Sequence, residues 1–336
     1  MGEIVREPSI NPPPPELPSG DLMFRVAGTA DSTWFWKSGQ ISIDQFNTVL
    51  EHVGKRITDF PRALDFGCGC GRIELHLEDV AKNVELHAVD IDSLAINWAV
   101  EHIPWARFSQ NQGLPPLDFP DEYFDLVFNH SVFTHLDERY QDAWLVELER
   151  VTKPGGLLIL SVSGGYPFSL FEKNCIDSGH DPQPFREIFR SRGHLFIPDD
   201  GMQNSPFPDF YHTTFHAPWY IFERWASIFD IKAYIVRGDL NYQDLLLLQR
   251  KDKRVGALPP AADFGYKVTS AKDDVSRLKL SLSECEQGRE LWRSVANSSK
   301  MQLDNVLNSR SWRVTAPLRG FMSMLRGEGV DTERNP

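Results

Sequence analysis

The residues best suited to chemistry by type and spacing form one glycine-rich segment, Leu64-Asp65-Phe66-Gly67-Cys68-Gly69-Cys70-Gly71-Arg72. An apolar run that predicts a buried strand precedes it, and helical spacing follows it over 72–81. Glycines allow a sharp turn close to a ligand, and a helix N-terminus offers free N–H groups to an anion. Asp90 ends the next predicted strand, about 20 residues on, where a carboxylate can accept both ribose hydroxyls. The segment therefore predicts a site for a nucleotide cofactor.

The spacing of the glycines distinguishes between two cofactors. A nicotinamide dinucleotide requires G-x-G-x-x-G, whose third glycine would fall on Arg72. The observed G-x-G-x-G, with Asp65 two residues before the first glycine, favours S-adenosylmethionine (SAM). Asp65 can attract the ammonium group of SAM, and the amides of the glycine loop can bind its carboxylate. We interpret Cys68 and Cys70 as small packing residues, because no second cysteine pair completes a zinc site.

Short apolar runs alternate with amphipathic segments from residue 62 onward, a pattern typical of a parallel, doubly wound α/β sheet. Strands are predicted at 62–66, 84–90, 107–111, 124–129 and 157–162, and helices at 72–81, 93–103 and 135–152. A helix at 218–229 and a hairpin of 231–236 and 244–249 are expected to close the sheet. We therefore expect one domain over 21–251, with a long irregular lid insertion at 165–216.

The region 62–163 resembles the class I SAM-dependent methyltransferases of the type-11/12 group. The resemblance is carried by LDFGCGCGR, HAVDID, PPLDFPDEYFDLVF, SVFTHL and ERVTKPGGLLILSV, in the order and spacing of that family. It implies a seven-stranded Rossmann-like sheet whose last strand is antiparallel. It also implies a set of cofactor-binding residues, which are Asp65, Gly67, Cys68, Gly69 and Gly71 at the methionine end, Asp90 at the ribose, Ile91 and Asn111 at the adenine, and Asn129 beside the sulfonium.

Histidines are the candidates for catalysis. Methyl transfer from a sulfonium is an in-line displacement, so the protein mainly aligns the reactants and excludes water. An oxygen nucleophile also needs a base, and histidine has a pKa near neutrality. His130 at the end of the fourth strand is the best placed, and His212 or His216 can act where the insertion returns to the domain. For His135 in SVFTHL a capping or packing role is at least as reasonable as a catalytic one.

Two further predictions concern aromatic and metal-binding residues. Trp34, Phe35 and Trp36 either close over the cofactor, whose cationic sulfur suits aromatic faces, or pack the N-terminal segment onto the domain. The histidines and acids of the insertion lack the spacing of metal ligands, so no metal site is predicted.

Composition excludes several classes of protein. The chain has 336 residues, with 35 Lys and Arg against 47 Asp and Glu, a net charge of -12 that opposes binding to nucleic acid. No apolar run is long enough for a membrane span, and the N-terminus lacks the pattern of a signal peptide. Its four cysteines are too few and too scattered for a disulfide framework. These features predict a cytoplasmic protein.

The two ends of the chain differ from its middle. Residues 1–20 are rich in proline, and 252–267 reads as a linker. Apolar residues at 268–309 recur with the spacing of a coiled coil, which predicts a homo-oligomer, most simply a dimer. The tail at 310–336 is basic and carries interleaved apolar residues, so it is expected to lie at the anionic inner face of a membrane or to dock on a partner.

The tail also bears on the acceptor. Its segment SWRVTAPLR is similar to tails of bacterial glycosyltransferases and other polysaccharide-assembly enzymes. The motifs DFGCGCGR, SVFTHL and YHTTFH likewise resemble methyltransferases encoded with such pathways. The resemblance implies methylation of a hydroxyl of a saccharide, such as a growing glycan, or of a related small molecule. N- or C-methylation of a small metabolite, and a non-catalytic SAM-binding scaffold assembled through the coiled coil, remain alternatives.

Overall fold

The computed structural model describes residues 16–198 and 210–258. Its strands are β1 (Arg62–Phe66), β2 (Glu85–Asp90), β3 (Arg107–Gln110), β4 (Phe124–Phe128), β5 (Thr152–Val162), β6 (His194–Ile197), β7 (Thr213–His216), β8 (Phe229–Asp239) and β9 (Gln243–Arg250). Its α-helices are α1 (Gly20–Ala27), α2 (Ser32–Leu50), α3 (Ser93–His102), α4 (Glu138–Val151), α5 (Gly165–Asp177), α6 (Gln183–Arg192) and α7 (Pro218–Arg224).

Seven strands form the central sheet, in the order β3-β2-β1-β4-β5-β9-β8. Neighbours from β3 to β5 are parallel, whereas β9 is antiparallel to both β5 and β8. This confirms the mostly parallel Rossmann-like sheet that the sequence predicts, including the final hairpin. The strand order reverses between β1 and β4, and ligands of such sheets bind in the crevice outside the carboxyl ends of the strands at that point.

Apolar side chains cover both faces of the sheet, as its continuous apolar strands require. One cluster on the side of α4 and α7 is built around Phe133, Trp144 and Trp225, all almost fully buried. A second cluster is centred on Phe46 and Leu50 of α2. The sheet is thus sandwiched between helices, and both layers help to hold its carboxyl edge in place.

The segment 72–81 does not form the predicted α-helix. It contains two short 3-10 helices, Glu74–His76 and Val80–Lys82. Helix α2 packs directly on its start, where an ideal Cβ on Gly39 would lie 2.3 Å from the carbonyl oxygen of Arg72. The carbonyl of Glu74 accepts a hydrogen bond from the indole of Trp105 at 2.7 Å. Tertiary contacts therefore replace the regular backbone bonds of a longer helix.

The insertion at 165–216 is more regular than the sequence predicts. It contains α5, α6 and the antiparallel pair β6–β7. These elements enclose an aromatic cluster of their own, in which Phe168, Phe171 and Phe215 are at most 5% exposed. Because this small core is built from residues far apart in the chain, local spacing does not reveal it. The role of the insertion as a lid remains a prediction.

The predictions for the chain ends lie outside the described residues. They concern most of the proline-rich segment and of the linker, and all of the coiled coil and the basic tail. Within the described ranges, no helix is both long and apolar enough to cross a lipid bilayer.

Candidate functional site

A cavity of about 920 Å³ opens at the carboxyl edge of the sheet, at the point where the strand order reverses. Its walls come from the ends of β1, β2 and β4, from α1, from the insertion and from the β8–β9 turn. Seven of the predicted cofactor residues line it, which are Asp65, Gly67, Cys68, Gly69, Asp90, Ile91 and Asn111. The structure therefore gathers most of the predicted cofactor site around one cavity.

The glycine loop adopts a backbone that other residues would strain. Gly67 and Gly69 have φ angles of 89° and 56°, in the left-handed region that favours glycine. A Cβ on Gly67 would lie 2.2 Å from Val132 Cγ2, and one on Gly69 would lie 2.4 Å from Val26 Cγ2. The glycines are thus required both by φ and by close packing of α1 and the β4–α4 loop.

The amides of this loop are used differently from the sequence-based expectation. Gly67 and Cys68 both donate their N–H to the carbonyl oxygen of Val89, at 2.8 and 3.1 Å. Gly71 donates to the carbonyl of Cys68, and Gly69 donates to a side-chain oxygen of Asp90. These amides hold the loop together, so the expectation that they bind the carboxylate of SAM is not supported.

Asp90 joins the loop to the start of α3. Its Oδ2 accepts the N–H of Gly69 at 2.8 Å, and its Oδ1 accepts the N–H of Asp92 at 2.8 Å. Burial raises the pKa of the Asp90 carboxyl, while these two backbone donors act in the opposite direction. Each oxygen keeps a further lone pair, so Asp90 can still accept the hydroxyls of a ribose in the cavity.

Asp65 supplies the site with a buried acid that has an unused acceptor. It is only 2% exposed, and its Oδ1 has no hydrogen-bond partner among the described residues. Burial, followed by the negative charge of Glu74, raises the pKa of Asp65 well above its ordinary value. Glu74 is itself 1% exposed. A cationic group placed beside Asp65 would relieve this crowding of acids, so the residues present fit the ammonium of SAM.

Arg72 is a functional candidate that sequence reasoning missed. The residue lines the cavity but is only 3% exposed. Its Nη1 donates to Ser38 Oγ at 2.8 Å, whereas its Nε has no partner in the described chain. A buried guanidinium with a free donor suits a carboxylate. Arg72 is thus better placed than the loop amides to bind the carboxylate of SAM.

Helices α1 and α2 complete the wall on the N-terminal side. Arg25 of α1 pairs with Asp92, the N-cap of α3, at 2.6 Å. Phe35 and Trp36 are buried in the packing of this layer, whereas Trp34 is 41% exposed and lines the cavity. Phe35 and Trp36 thus pack the N-terminal layer onto the domain, whereas closure of Trp34 over the cofactor stays a prediction.

Two predicted cofactor residues have structural roles instead. Asn129 is fully buried, and its Oδ1 accepts the N–H of Ser161, which ties β4 to β5. Gly71 has a φ of 79° and packs against Ile103, where a Cβ would lie 2.4 Å from Cδ1. Neither residue lines the cavity. Both stand next to residues that do, which is why the sequence alone cannot separate them.

His130 is the predicted base that the structure places in the cavity. Its Nδ1 lies 2.6 Å from Oδ2 of Asp239, a carboxylate with no exposed surface. The N–H direction is bent away from the line joining these atoms, so the contact is more electrostatic than directional. Burial lowers the pKa of His130, and the charge of Asp239 partly opposes this. A neutral imidazole results, which is the form that can accept a proton.

The other predicted catalytic histidines do not reach the cavity. His216 is fully buried, its Nε2 lies 2.9 Å from Oε1 of Gln141, and burial lowers its pKa well below the ordinary value. The ring of His212 packs against Phe196. Neither histidine is among the residues lining the cavity, so this placement does not support a catalytic role for them. His135 does line it, with its ring stacked 4.0 Å from that of Tyr211.

The part of the cavity wall that comes from the insertion and the β8–β9 turn is aromatic and neutral-polar. It is formed by Pro167, Leu170, Phe171, Asn174, Phe210, Tyr211, Thr213, Tyr242 and Gln243, from the insertion and the β8–β9 turn. Most small-molecule sites combine such apolar surface with a few polar groups that fix orientation. Among the described residues, no group of three or more His, Cys, Asp or Glu side chains is arranged to hold a metal ion.

Residues 64–160 match the family model described as "Methyltransferase domain". This match covers β1 to β5 and includes the glycine loop, Asp90 and His130. Over these residues the chain is therefore similar to methyltransferases, and S-adenosylmethionine is the cofactor that this similarity supports. The match supports the methyltransferase part of the resemblance that the motifs indicate, whereas the resemblance to polysaccharide-assembly enzymes stays a prediction.

Curated proteins similar to part of the chain have names that give different activities. The mitochondrial arginine-hydroxylase NDUFAF5 of Rattus norvegicus is 32% identical over 151 residues, which cover 42% of this chain and 41% of that protein. A malonyl-[acyl-carrier protein] O-methyltransferase of Halorhodospira halophila is 30% identical over 105 residues, covering 31% of this chain and 35% of that protein. The chain thus spans less than half the length of these relatives.

A solved structure with similarity to the chain is that of the PH0226 protein of Pyrococcus horikoshii OT3. It is 22% identical, covers 61% of this chain and 86% of its own, and has a TM-score of 0.41.

Proposed function

We propose that the protein transfers a methyl group from SAM to a hydroxyl of a saccharide or a related small molecule. The observation that carries this proposal is the position of His130, which lines the same cavity as Asp65 and Asp90. When bound, SAM supplies a methyl group on a positively charged sulfur that leaves as a neutral thioether. An alcohol oxygen attacks such a group best when a base takes its proton.

The residues of the chain divide the remaining work. Asp65 binds the ammonium of the cofactor, Arg72 its carboxylate, and Asp90 its ribose. His130 accepts the proton that the acceptor hydroxyl loses, through Nε2, because Nδ1 faces Asp239. The aromatic wall excludes water and holds the acceptor in line.

The chemistry of the acceptor wall supports a saccharide. Tyr211 and Tyr242 line the cavity, and aromatic rings can pack on the C–H surface of a sugar. Asn174 and Gln243 are neutral side chains that both donate and accept hydrogen bonds, as sugar hydroxyls do. The similarity of the tail to those of polysaccharide-assembly enzymes points to the same acceptor class.

Methyl-labelled SAM, offered with a panel of acceptors, tests the proposal. The panel holds neutral methyl glycosides, nucleotide sugars, carboxylic acids and primary amines, and binding of SAM is measured calorimetrically in parallel. Label is expected on a glycoside or a nucleotide sugar. It should be lost in His130→Gln, which should still bind SAM. Label on amines would favour the metabolite alternative, label on carboxylic acids alone would contradict a hydroxyl acceptor, and SAM binding without any label would favour the scaffold.

A further inference from the structure

The β8–β9 turn brings a buried acid beside the candidate base. Asp239 ends β8, and His130 follows the end of β4. Because β8 runs parallel to β4, Asp239 and His130 both lie at the carboxyl edge of the sheet. The pairing of β8 with β9 shifts register between Ile235 and Asp239, and Arg237 within this bulge has a φ of 56°. Bulges of this kind redirect side chains and are frequent next to active sites. Here the bulge directs Asp239 toward His130.

Neighbouring groups hold Asp239 in place. Its Oδ1 accepts Ser42 Oγ of α2 at 3.3 Å, and its carbonyl accepts the N–H of Tyr242 at 2.9 Å. The next residue, Leu240, donates its N–H to Gln45 of α2 at 2.8 Å. Oδ2 of Asp239 has no hydrogen-bond partner among the described residues and lies 2.6 Å from Nδ1 of His130. Contacts with α2 and within the β8–β9 turn therefore hold Asp239 in place, and its Oδ2 lies beside the imidazole.

The backbone of His130 is fixed as well. The following residue, Ser131, has a φ of 62°, which is uncommon for a residue with a side chain. Its N–H donates to Ser161 Oγ at 2.7 Å, and its own Oγ accepts Gln243 Nε2 at 2.8 Å. Strained backbone held by surrounding contacts is typical of functional sites.

We infer that Asp239 is the positioning residue of His130: it keeps the imidazole proton on Nδ1, so that the lone pair of Nε2 faces the cavity. Two lone pairs at 2.6 Å would repel each other, so the proton stands on Nδ1. Asp239 does not line the cavity and acts only through the ring. This inference rests on the proposed function, in which His130 is the base.

The surrounding charges suit that role. The charged groups that act on His130 are Asp239 and Arg72. The carboxylate opposes the effect of burial and stabilises the imidazolium that forms when a proton arrives, while Arg72 offsets the buried negative charge of Asp239. The arrangement keeps the ring neutral at rest and makes it a stronger base than burial alone would allow.

Nuclear magnetic resonance of ¹⁵N-histidine-labelled protein tests the inference without an acceptor. The signals of His130 are assigned by their loss in His130→Gln. In the wild type we expect a protonated Nδ1 and an unprotonated Nε2. In Asp239→Asn the titration midpoint of His130 should fall by about one pH unit or more, since an adjacent opposite charge is removed.

Glu149→Gln is the matched control. Glu149 is a buried acid of α4, with no exposed surface, that accepts the N–H groups of Val255 and Gly256. This variant should lose stability without moving the His130 midpoint. Protonation of His130 on Nε2 in the wild type would overturn the inference, and this result does not depend on the folding of a variant. Equal shifts of the His130 titration midpoint in both variants would also overturn it. Methyl transfer that survives in His130→Gln would instead overturn the base assigned in the proposed function.

Discussion

Gly69 donates its backbone N–H to Oδ2 of Asp90 at 2.8 Å, which joins the loop after β1 to the end of β2. The acid that is expected to bind the ribose thus also holds the glycine loop in its cofactor-binding shape. The two functions cannot be separated by sequence, because the residues are 21 positions apart and meet only through the parallel pairing of β1 with β2.

Asp90→Ala should weaken SAM binding by about 1–3 kcal/mol, because it removes charge-assisted hydrogen bonds to the ribose and the brace on Gly69. Calorimetric titration measures this loss. Asp79→Ala is the control, since Asp79 is an exposed acid that pairs with Lys82 on the surface. Equal affinity of wild type and Asp90→Ala would contradict the assignment of Asp90.

Gly69→Ala should destabilise the protein more than Gly28→Ala. Both glycines have positive φ, 56° and 67°, so both variants carry a similar backbone strain. Only at Gly69 does the new Cβ meet a neighbour, Val26 Cγ2 at 2.4 Å, whereas nothing lies within 4 Å at Gly28. We expect an additional loss of about 1–3 kcal/mol in the free energy of unfolding, the usual range for overpacking. Urea denaturation measures the free energy of unfolding of both variants. Equal losses would show that Val26 can move away from the new Cβ at no cost.

Asp65→Asn should bind SAM more weakly yet unfold less readily when SAM is absent. The pKa of Asp65 is raised in the folded protein, so above the ordinary carboxyl pKa the unfolded chain gives up a proton that the folded protein retains, which opposes folding. Removing the charge therefore raises the free energy of unfolding at neutral pH. The difference should shrink as pH falls toward the ordinary carboxyl range, where the acid is protonated in both states. A variant less stable than the wild type at pH 7.5 would refute this account.

Acid should destabilise the protein through its buried histidines. Burial lowers the pKa of His194 to about 4, so between that value and about 6.5 the unfolded chain binds a proton that the folded protein does not. Between these two pH values, His194 makes the free energy of unfolding increase as pH rises and decrease as pH falls. His194→Gln should reduce the pH dependence by up to about 1.4 kcal/mol per pH unit. The exposed His52 provides the control substitution, and an unchanged slope in His194→Gln would count against the prediction.

A chain ending at residue 258 should retain SAM binding. Every residue that lines the described cavity precedes that position. The predicted coiled coil at 268–309 would be absent, so light scattering should then report a smaller oligomer than for the full chain. Loss of SAM binding on truncation would show that the domain boundary is misplaced, and an unchanged mass would argue against oligomerisation through that segment.

Much of the cofactor site is predictable because it depends on local sequence. Strand β1 ends at Phe66, and parallel strands align their carboxyl ends at one edge, so the glycine loop and Asp90 must lie close together. The spacing of Gly67 and Gly69 reports a backbone conformation that few other residues adopt. Such features can be recognised in the sequence before any tertiary contact is known.

The remainder was decided by tertiary structure. Glu74 and Arg72 are indistinguishable in sequence from solvent-facing charges of a helix, and tertiary packing, which for Arg72 includes α2, buries them. His216 and His130 are both catalytic candidates in the sequence, but His216 is enclosed by α4 and α7, whereas His130 lines the cavity. Asp239 reaches His130 from 109 positions away through the order of the strands and a bulge in β8. Local spacing determines what a segment can form, whereas the partner and the burial of a charge depend on elements that are distant in the chain.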